Sequence, residues 1–331
     1  MRSVAVIGLG NIATRHRRNL KSIFPGVTVF AMSASGRMPT EKINDCDVIV
    51  SSIEELISSA VQLVIVASPA TLHAQHSIPF IKAGIPVLIE KPVTSSLQDA
   101  LDLRHITEQY QTPVAVGYCL RYLPSAQKMK EYIDTGILGQ LYYANIEVGQ
   151  YLPDWRPNKN YHDTVSANLS LGGGVLLELS HELDYGKWLL GPLSLEHAIV
   201  QRTEELALEV EDSANLLMTT NEKAVVHIRL DFLQRKAYRR CRFVGSNGAL
   251  EWDLIDNRVY FISSDATELL YSDPQWDKNK MYINMILDFI YFINKKENNI
   301  VTLIDAIETI EIINSIKNDY SISSGMKNKI I

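Results

Sequence analysis

The chain has 331 residues, 46% of them hydrophobic and 21% charged, the balance of an ordinary globular protein long enough for two domains. A net charge of −6 argues against a nucleic-acid binder, which needs a basic face, and the short clusters Arg15-His16-Arg17-Arg18 and Arg235-Lys236-Ala237-Tyr238-Arg239-Arg240 read as solvated surface. Cys46, Cys119 and Cys241 are widely spaced and fit a reducing cytoplasm; no apolar run reaches the ~20 residues that span a bilayer, and no signal peptide is expected ahead of Val4.

Ser3 to Gly8 is a nearly unbroken apolar run, as expected for a central parallel strand covered on both faces. It leads into Gly8-Leu9-Gly10-Asn11-Ile12-Ala13 and a helix-like segment from Thr14 to Ile23. This spacing matches the dinucleotide fingerprint: Gly8 for the tight turn, Gly10 for approach of a pyrophosphate, Ala13 for close helix packing, and the helix N-terminus with Asn11 and Ile12 for the phosphate charge. Strand signals follow at Val27–Ala31, Asp47–Val50, Leu63–Ala67, Pro86–Ile89 and Pro113–Val116, with helical stretches at Leu72–Lys82 and Leu97–Gln109. The rhythm predicts a doubly wound parallel sheet over residues 1–119.

After the second strand the chain reads Ala31-Met32-Ser33-Ala34-Ser35-Gly36-Arg37, with no carboxylate to bind a ribose diol. Ser33 and Arg37 suit a 2′-phosphate, which points to NADP over NAD. Ser68 and Pro69, after the fourth strand, are expected where the loop passes the cofactor, with His73 one turn into the next helix in a supporting role. Glu90-Lys91-Pro92 ends the fifth strand. Ligands of open α/β sheets sit at that edge, and a partly buried lysine can be tuned to give and take a proton.

From Gly172-Gly173-Gly174 onward, Glu178, His181 and Asp184 fall three apart, and a helix there would put them on one face as an acid–base group. Glu178-x-x-His181 is also half of a di-metal pattern, but no second Glu-x-x-His follows, so no metal is expected. The loop Gln150 to Pro157, with Trp155 and Arg156, and Tyr161 beyond it, suits a carbohydrate: aromatic faces stack on sugar C–H surfaces and an arginine holds a carboxylate or phosphate. Arg121 is expected to do similar work, and Asp184 is expected on the substrate as well.

The ordered set of Gly8 to Ala13, Ala67-Ser68-Pro69 with His73, Glu90-Lys91-Pro92, Gly117 to Pro124, and Gly172-Gly173-Gly174 … His181 … Asp184 resembles the Gfo/Idh/MocA oxidoreductases, the family of glucose–fructose oxidoreductase and inositol dehydrogenase. The resemblance covers essentially the whole chain. It implies an α/β protein, an N-terminal Rossmann domain (1–119) joined to a C-terminal α+β domain (120–331) with a large, mostly antiparallel sheet. Strand-like runs at Leu141–Val148, Leu195–Arg202, Ser213–Thr219, Ala224–Phe232, Arg239–Val244 and Ala249–Asp253 agree with it, as do helices at Ala126–Ile133, Tyr282–Ile293 and Leu303–Ile316. It also implies Lys91 and His181 as proton-transfer residues, a cis Lys91–Pro92 bond, and Glu90 and Lys91 beside the nicotinamide. Many members carry an aspartate four residues before the histidine; Leu177 stands there, so Glu178 is the nearest acid.

The expected activity is hydride transfer between NAD(P) and a hydroxyl or keto carbon of a sugar or sugar derivative, by association in bacterial surface-sugar synthesis. The rivals are a redox-neutral epimerase or eliminase with tightly held cofactor, and a non-catalytic dinucleotide-binding protein. A cytoplasmic homo-oligomer, dimer or tetramer, with no nucleic-acid or membrane partner is expected.

Overall fold

The computed structural model describes residues 1–320 and the two-residue strand Ser323–Ser324. The chain forms two compact units, one made of Met1–Cys119 with Asn279–Glu311, the other of Leu120–Lys278 with the described residues from Ile312 onward. This corrects the expected second domain of 120–331: the segment from Asn279 to Glu311 returns to the first unit. Sequence order hides this because the returning segment docks through the apolar side of helix Lys280–Ile293 (Met281, Met285, Ile286 and Phe289) and adds the strand Val301–Thr302.

In the first unit, β1 (Ser3–Ile7), β2 (Thr28–Met32), β3 (Val48–Val50), β4 (Val64–Val66), β5 (Val87–Glu90) and β6 (Val114–Gly117) form one parallel sheet in the order 6-5-4-1-2-3. Val301–Thr302 pairs antiparallel on the outer edge of β6. Val4 to Ile7, Val64 to Val66 and Val87 to Ile89 are fully or almost fully buried, which is why these runs carry no alternation. The connecting helices are α1 (Asn11–Ile23), α2 (Ile53–Ser58), α3 (His73–Lys82) and α4 (Leu97–Tyr110). Serines cap two of them: Ser52 accepts from the Glu55 N–H and Ser96 from the Asp99 N–H.

The order of strands reverses direction between β1 and β4, the position where open sheets bind ligands. Register places Ile7 beside Val66, Val66 beside Ile89, and Glu90 beside Gly117. The turn after β1, the loop after β4 and Lys91 after β5 therefore leave the same edge, at successive spacings of about 4.8 Å.

In the second unit, β7 (Leu141–Gly149), β8 (Leu193–Arg202), β9 (Ser213–Thr220), β10 (Val225–Asp231), β11 (Tyr238–Gly245), β12 (Gly248–Asp253), β13 (Arg258–Ile262) and β14 (Thr267–Ser272) form the second sheet, with Ser323–Ser324 on its β8 edge. Pairing is antiparallel except for β7 with β10 and Ser323–Ser324 with β8. One buried row crosses six strands, Trp252–Cys241–Ile146–Ile228–Leu216–Ala198. After helices α5 (Pro124–Asp134) and α6 (Val175–Glu178), helix α7 (His181–Leu190) lies on this row, and a Cβ at Gly186 would sit 3.2 Å from the Ile146 side chain. Strands β13 and β14 extend the sheet past Asp253, where the sequence reading stops. Thr267–Ser272 has no fully buried residue, so it lacks the two-residue burial rhythm that marks a strand.

Candidate active site

The turn after β1 is built for close approach. Gly8 has φ +117°, and a Cβ there would lie 2.4 Å from the Ala67 carbonyl oxygen. Gly10, the N-cap of α1, has nothing within 4 Å of a would-be Cβ. Helix α1 starts at Asn11 with no side-chain cap and no acidic residue in its first turn, so its leading N–H groups and dipole face that open space. Ala13 is fully buried against the sheet and Ile12 is half-buried. An open cradle beside an uncapped helix start fits a dinucleotide pyrophosphate.

Arg15-His16-Arg17-Arg18 is not a solvated cluster. Arg15 and Arg18 are exposed, whereas His16 and Arg17 are 0% and 1% exposed. Ala13, His16, Arg17 and Leu20 form the i, i+3, i+4, i+7 stripe of α1, and that periodicity was the signal that could have placed them inside. Arg17 donates from Nη1 to the Gly8 carbonyl (3.2 Å), from Nε to the Asn44 carbonyl (3.0 Å) and from Nη2 to Thr14 Oγ1 (2.8 Å). One guanidinium thus ties the β1 turn to the loop after β2. His16 Nε2 lies 2.6 Å from Glu90 Oε1.

β2 ends, and the loop after it opens, without a carboxylate. Ser33 Oγ donates to the Arg37 carbonyl (2.8 Å), and Arg37 Nε approaches Ser35 Oγ at 3.3 Å; the Arg37 side chain is exposed. After β4, Ser68 Oγ pairs with His76 Nδ1 at 2.9 Å, and Pro69 starts the short helical turn Ala70–Leu72. Burial, reinforced by neighbouring His73, pulls His76 down to about 4.

His73 is braced inside the protein. Its Nε2 faces the Ser68 carbonyl at 2.8 Å, and its Nδ1 faces the carbonyls of Pro92 (3.0 Å) and Val93 (3.2 Å). The ring links the β4 loop to the segment after Lys91, with its nitrogens on backbone oxygens. Burial lowers its affinity for a proton.

Lys91 is half-buried at the end of β5, and the Lys91–Pro92 bond is cis. Glu90 is buried; its Oε2 accepts from the Lys91 N–H at 3.2 Å while Oε1 meets His16. Glu90 thus acts on this loop from beneath, through hydrogen bonds within the protein.

In the second unit, the expected single helix carrying Glu178, His181 and Asp184 is broken. Helix α6 (Val175–Glu178) ends, Leu179 leaves helical geometry at φ −102° and ψ 28°, and α7 begins at His181. Three-residue spacing no longer implies one shared face across that break. Glu178 accepts from Ser166 Oγ at 3.0 Å. Asp184 receives a two-pronged contact from Arg121, Nε to Oδ2 at 2.9 Å and Nη2 to Oδ1 at 2.7 Å, and Arg121 lies 5.6 Å from the Trp188 ring. Two residues expected on substrate are paired with each other, although neither spacing nor periodicity links positions 63 apart. His181 opens α7 and is 9% exposed.

A second pair was not anticipated: half-buried Arg239 grips buried Glu182 at 2.7 and 3.0 Å, and the Tyr185 hydroxyl reaches Glu182 at 3.1 Å. Arg239 therefore turns inward from the other basic cluster. Among the loop residues, Trp155 donates to the Gln150 carbonyl (3.1 Å) and packs edge-on against Phe232, and the Tyr161 hydroxyl donates to the Leu206 carbonyl (3.2 Å). Arg156 is exposed. Among the described residues, no helix is long and apolar enough to cross a membrane.

A family model described as "Oxidoreductase family, NAD-binding Rossmann fold" matches residues 2–118, and one described as "GFO/IDH/MocA C-terminal domain" matches residues 126–251. An uncharacterised oxidoreductase of Synechocystis sp. is 31% identical over 232 residues, 66% of this chain and 62% of that protein, so the chain spans less than two thirds of that relative's length. Myo-inositol 2-dehydrogenase of Thermotoga maritima is 23% identical over 301 residues, 86% of this chain and 82% of the relative. The solved structure of levoglucosan dehydrogenase in complex with NADH has the same fold, with a TM-score of 0.81 at 18% identity over 96% of each chain. With both of its domain models matched in order along the sequence, the chain belongs to the Gfo/Idh/MocA family of oxidoreductases, and its first unit is that family's NAD-binding Rossmann fold.

Proposed function

We propose that this protein is an NAD(P)-dependent dehydrogenase or reductase of a sugar or sugar derivative, inositol-like polyols included. The observation that carries the reading is a half-buried lysine at the carboxyl end of β5, on the same sheet edge as the Gly8–Gly10 turn. Bound NAD(P) supplies the acceptor or donor of a hydride. Lys91 takes the proton of the substrate hydroxyl as the carbon is oxidised, or returns it in reduction. His181 is a second proton-transfer residue in this reading, by family resemblance alone. Trp155, Arg156 and Tyr161 lie on the segment we assign to the sugar.

NADP is the preferred cofactor in this reading. No acidic residue follows β2 before Glu41, while Ser33, Ser35 and the exposed Arg37 offer donors to a 2′-phosphate. The bacterial surface-sugar assignment points to nucleotide-linked and acidic sugars as the first substrates to try. The test is a thermal-shift comparison of NAD, NADH, NADP and NADPH. It is followed by a screen of inositols, free sugars, sugar acids and nucleotide-linked sugars for change in reduced nicotinamide. Binding of a nicotinamide cofactor with turnover of a polyol or sugar supports the reading; no cofactor-induced stabilisation contradicts it.

A further inference from the structure

The hydrogen-bonded pair of His16 and Glu90, next to Lys91, has no place in the proton transfer itself. His16 is fully buried and Glu90 is 8% exposed, and they meet at 2.6 Å between the first helix and the end of β5. Gly117 lies opposite Glu90 in register, and a Cβ there would meet the Ile89 carbonyl oxygen at 3.3 Å and Glu90 Cδ at 3.4 Å. The ring edge of Tyr282 packs against His16 with centroids 6.0 Å apart, and the Arg15 guanidinium covers Tyr282 at 4.5 Å.

A buried polar pair is a poor device for stability alone, because well-packed apolar residues usually serve as well or better. Its usual use is to fix register. Here the register is specific: one oxygen of Glu90 holds α1 through His16, and the other holds the backbone N–H of Lys91. Helix α1 presents its N-terminus to the pyrophosphate only about 7.5 Å of helix rise from His16.

We propose that His16 and Glu90 are positioning residues for Lys91, tying the backbone of the lysine to the helix that receives the dinucleotide. The inference rests on the proposed function, in which Lys91 works beside the nicotinamide. The pair acts through the placement of Lys91 and makes no contact with the reacting atoms.

Timed labelling of the full-length protein with an amine-specific reagent, quantified peptide by peptide, reads the placement of Lys91 directly. Exposed Lys82 and Lys159 serve as internal references. In the wild type, saturating NADH or NADPH slows labelling of Lys91 and leaves the references unchanged. In Glu90→Gln and His16→Leu, the Lys91-to-reference ratio changes by about threefold or more, the low end for directly coupled groups, and protection by cofactor weakens. His16→Gln, which keeps an N–H donor for the carboxylate, moves the ratio back toward wild type. A merely structural pair would lower the melting temperature of the variants and leave the ratio unmoved; that result overturns the proposal. If His16→Leu does not fold, the nearly isosteric Glu90→Gln decides. Failure of the underlying functional reading looks different: wild-type Lys91 would gain no protection from either cofactor.

Discussion

Alanine at Gly8 and at Gly10 should separate folding from nucleotide binding within a single turn. At Gly8 the backbone has φ +117°, and the new Cβ would lie 2.4 Å from the Ala67 oxygen and 2.8 Å from its carbonyl carbon. Backbone strain costs about 1–3 kcal/mol, and forcing a methyl against the backbone directly after β4 costs about 1–3 kcal/mol more. Gly8→Ala should therefore lose about 2–6 kcal/mol in a urea titration. At Gly10 the backbone is already in a conformation any residue adopts, φ −73° and ψ −177°, and the added methyl enters open space. Its cost to folding is about 1 kcal/mol or less. The same methyl occupies the approach of the pyrophosphate to the helix start, and losing one charge-assisted N–H contact is worth about 1.5–3 kcal/mol, or about 10- to 150-fold in Kd. NADH fluorescence titration and urea unfolding on both variants make the comparison. A Gly10→Ala protein that binds NADH and NADPH as tightly as wild type would refute the placement of the pyrophosphate.

Arg121→Met should lower stability by about 1.5–3 kcal/mol, because buried Asp184 loses the two hydrogen bonds of the guanidinium; an unchanged urea midpoint would show that the pair contributes nothing. Arg37→Ala should weaken NADPH binding by about tenfold or more and leave NADH binding unchanged, since one charge-assisted contact is removed; equal effects on both cofactors would remove the case for a 2′-phosphate site. His76 is held neutral in the fold, with its proton affinity lowered from an ordinary 6.5 to about 4. As pH falls below about 6.5 the unfolded chain takes up this proton first, so stability from this residue is complete above that pH and declines toward about 4. His76→Gln should flatten that part of the acid limb of a pH–stability curve, and an identical slope in the variant would contradict the assignment.

The Rossmann half of the protein was legible because its signals are local. An unbroken apolar run means a strand covered on both faces, and Gly8, Gly10 and Ala13 each answer a short-range steric demand. The place of Lys91 was legible for the same reason: it follows the strand that the buried run Val87 to Ile89 forms and Glu90 closes. What escaped depends on contacts distant in sequence. His16 and Arg17 looked like part of a basic cluster until their partners, Glu90, Asn44 and the Gly8 carbonyl, came together around them. Arg121 and Asp184 have side chains that suit a ligand equally well, and nothing short of the fold pairs them with each other. The break at Leu179 was hidden by a run from Val175 to Trp188 that has good helical periodicity throughout. The return of Asn279–Glu311 to the first unit is invisible to composition, because its helices are amphipathic in the same way as any other.

The central claim is that Lys91 transfers the substrate proton. Single-turnover hydride transfer by Lys91→Met, measured with the sugar or polyol that the screen identifies and beside NADH and NADPH titrations of the same preparation, tests it most directly. The account predicts a fall of about 100- to 10,000-fold in rate, the usual contribution of a positioned general base, with cofactor affinity close to wild type. A variant that transfers hydride at the wild-type rate would contradict it.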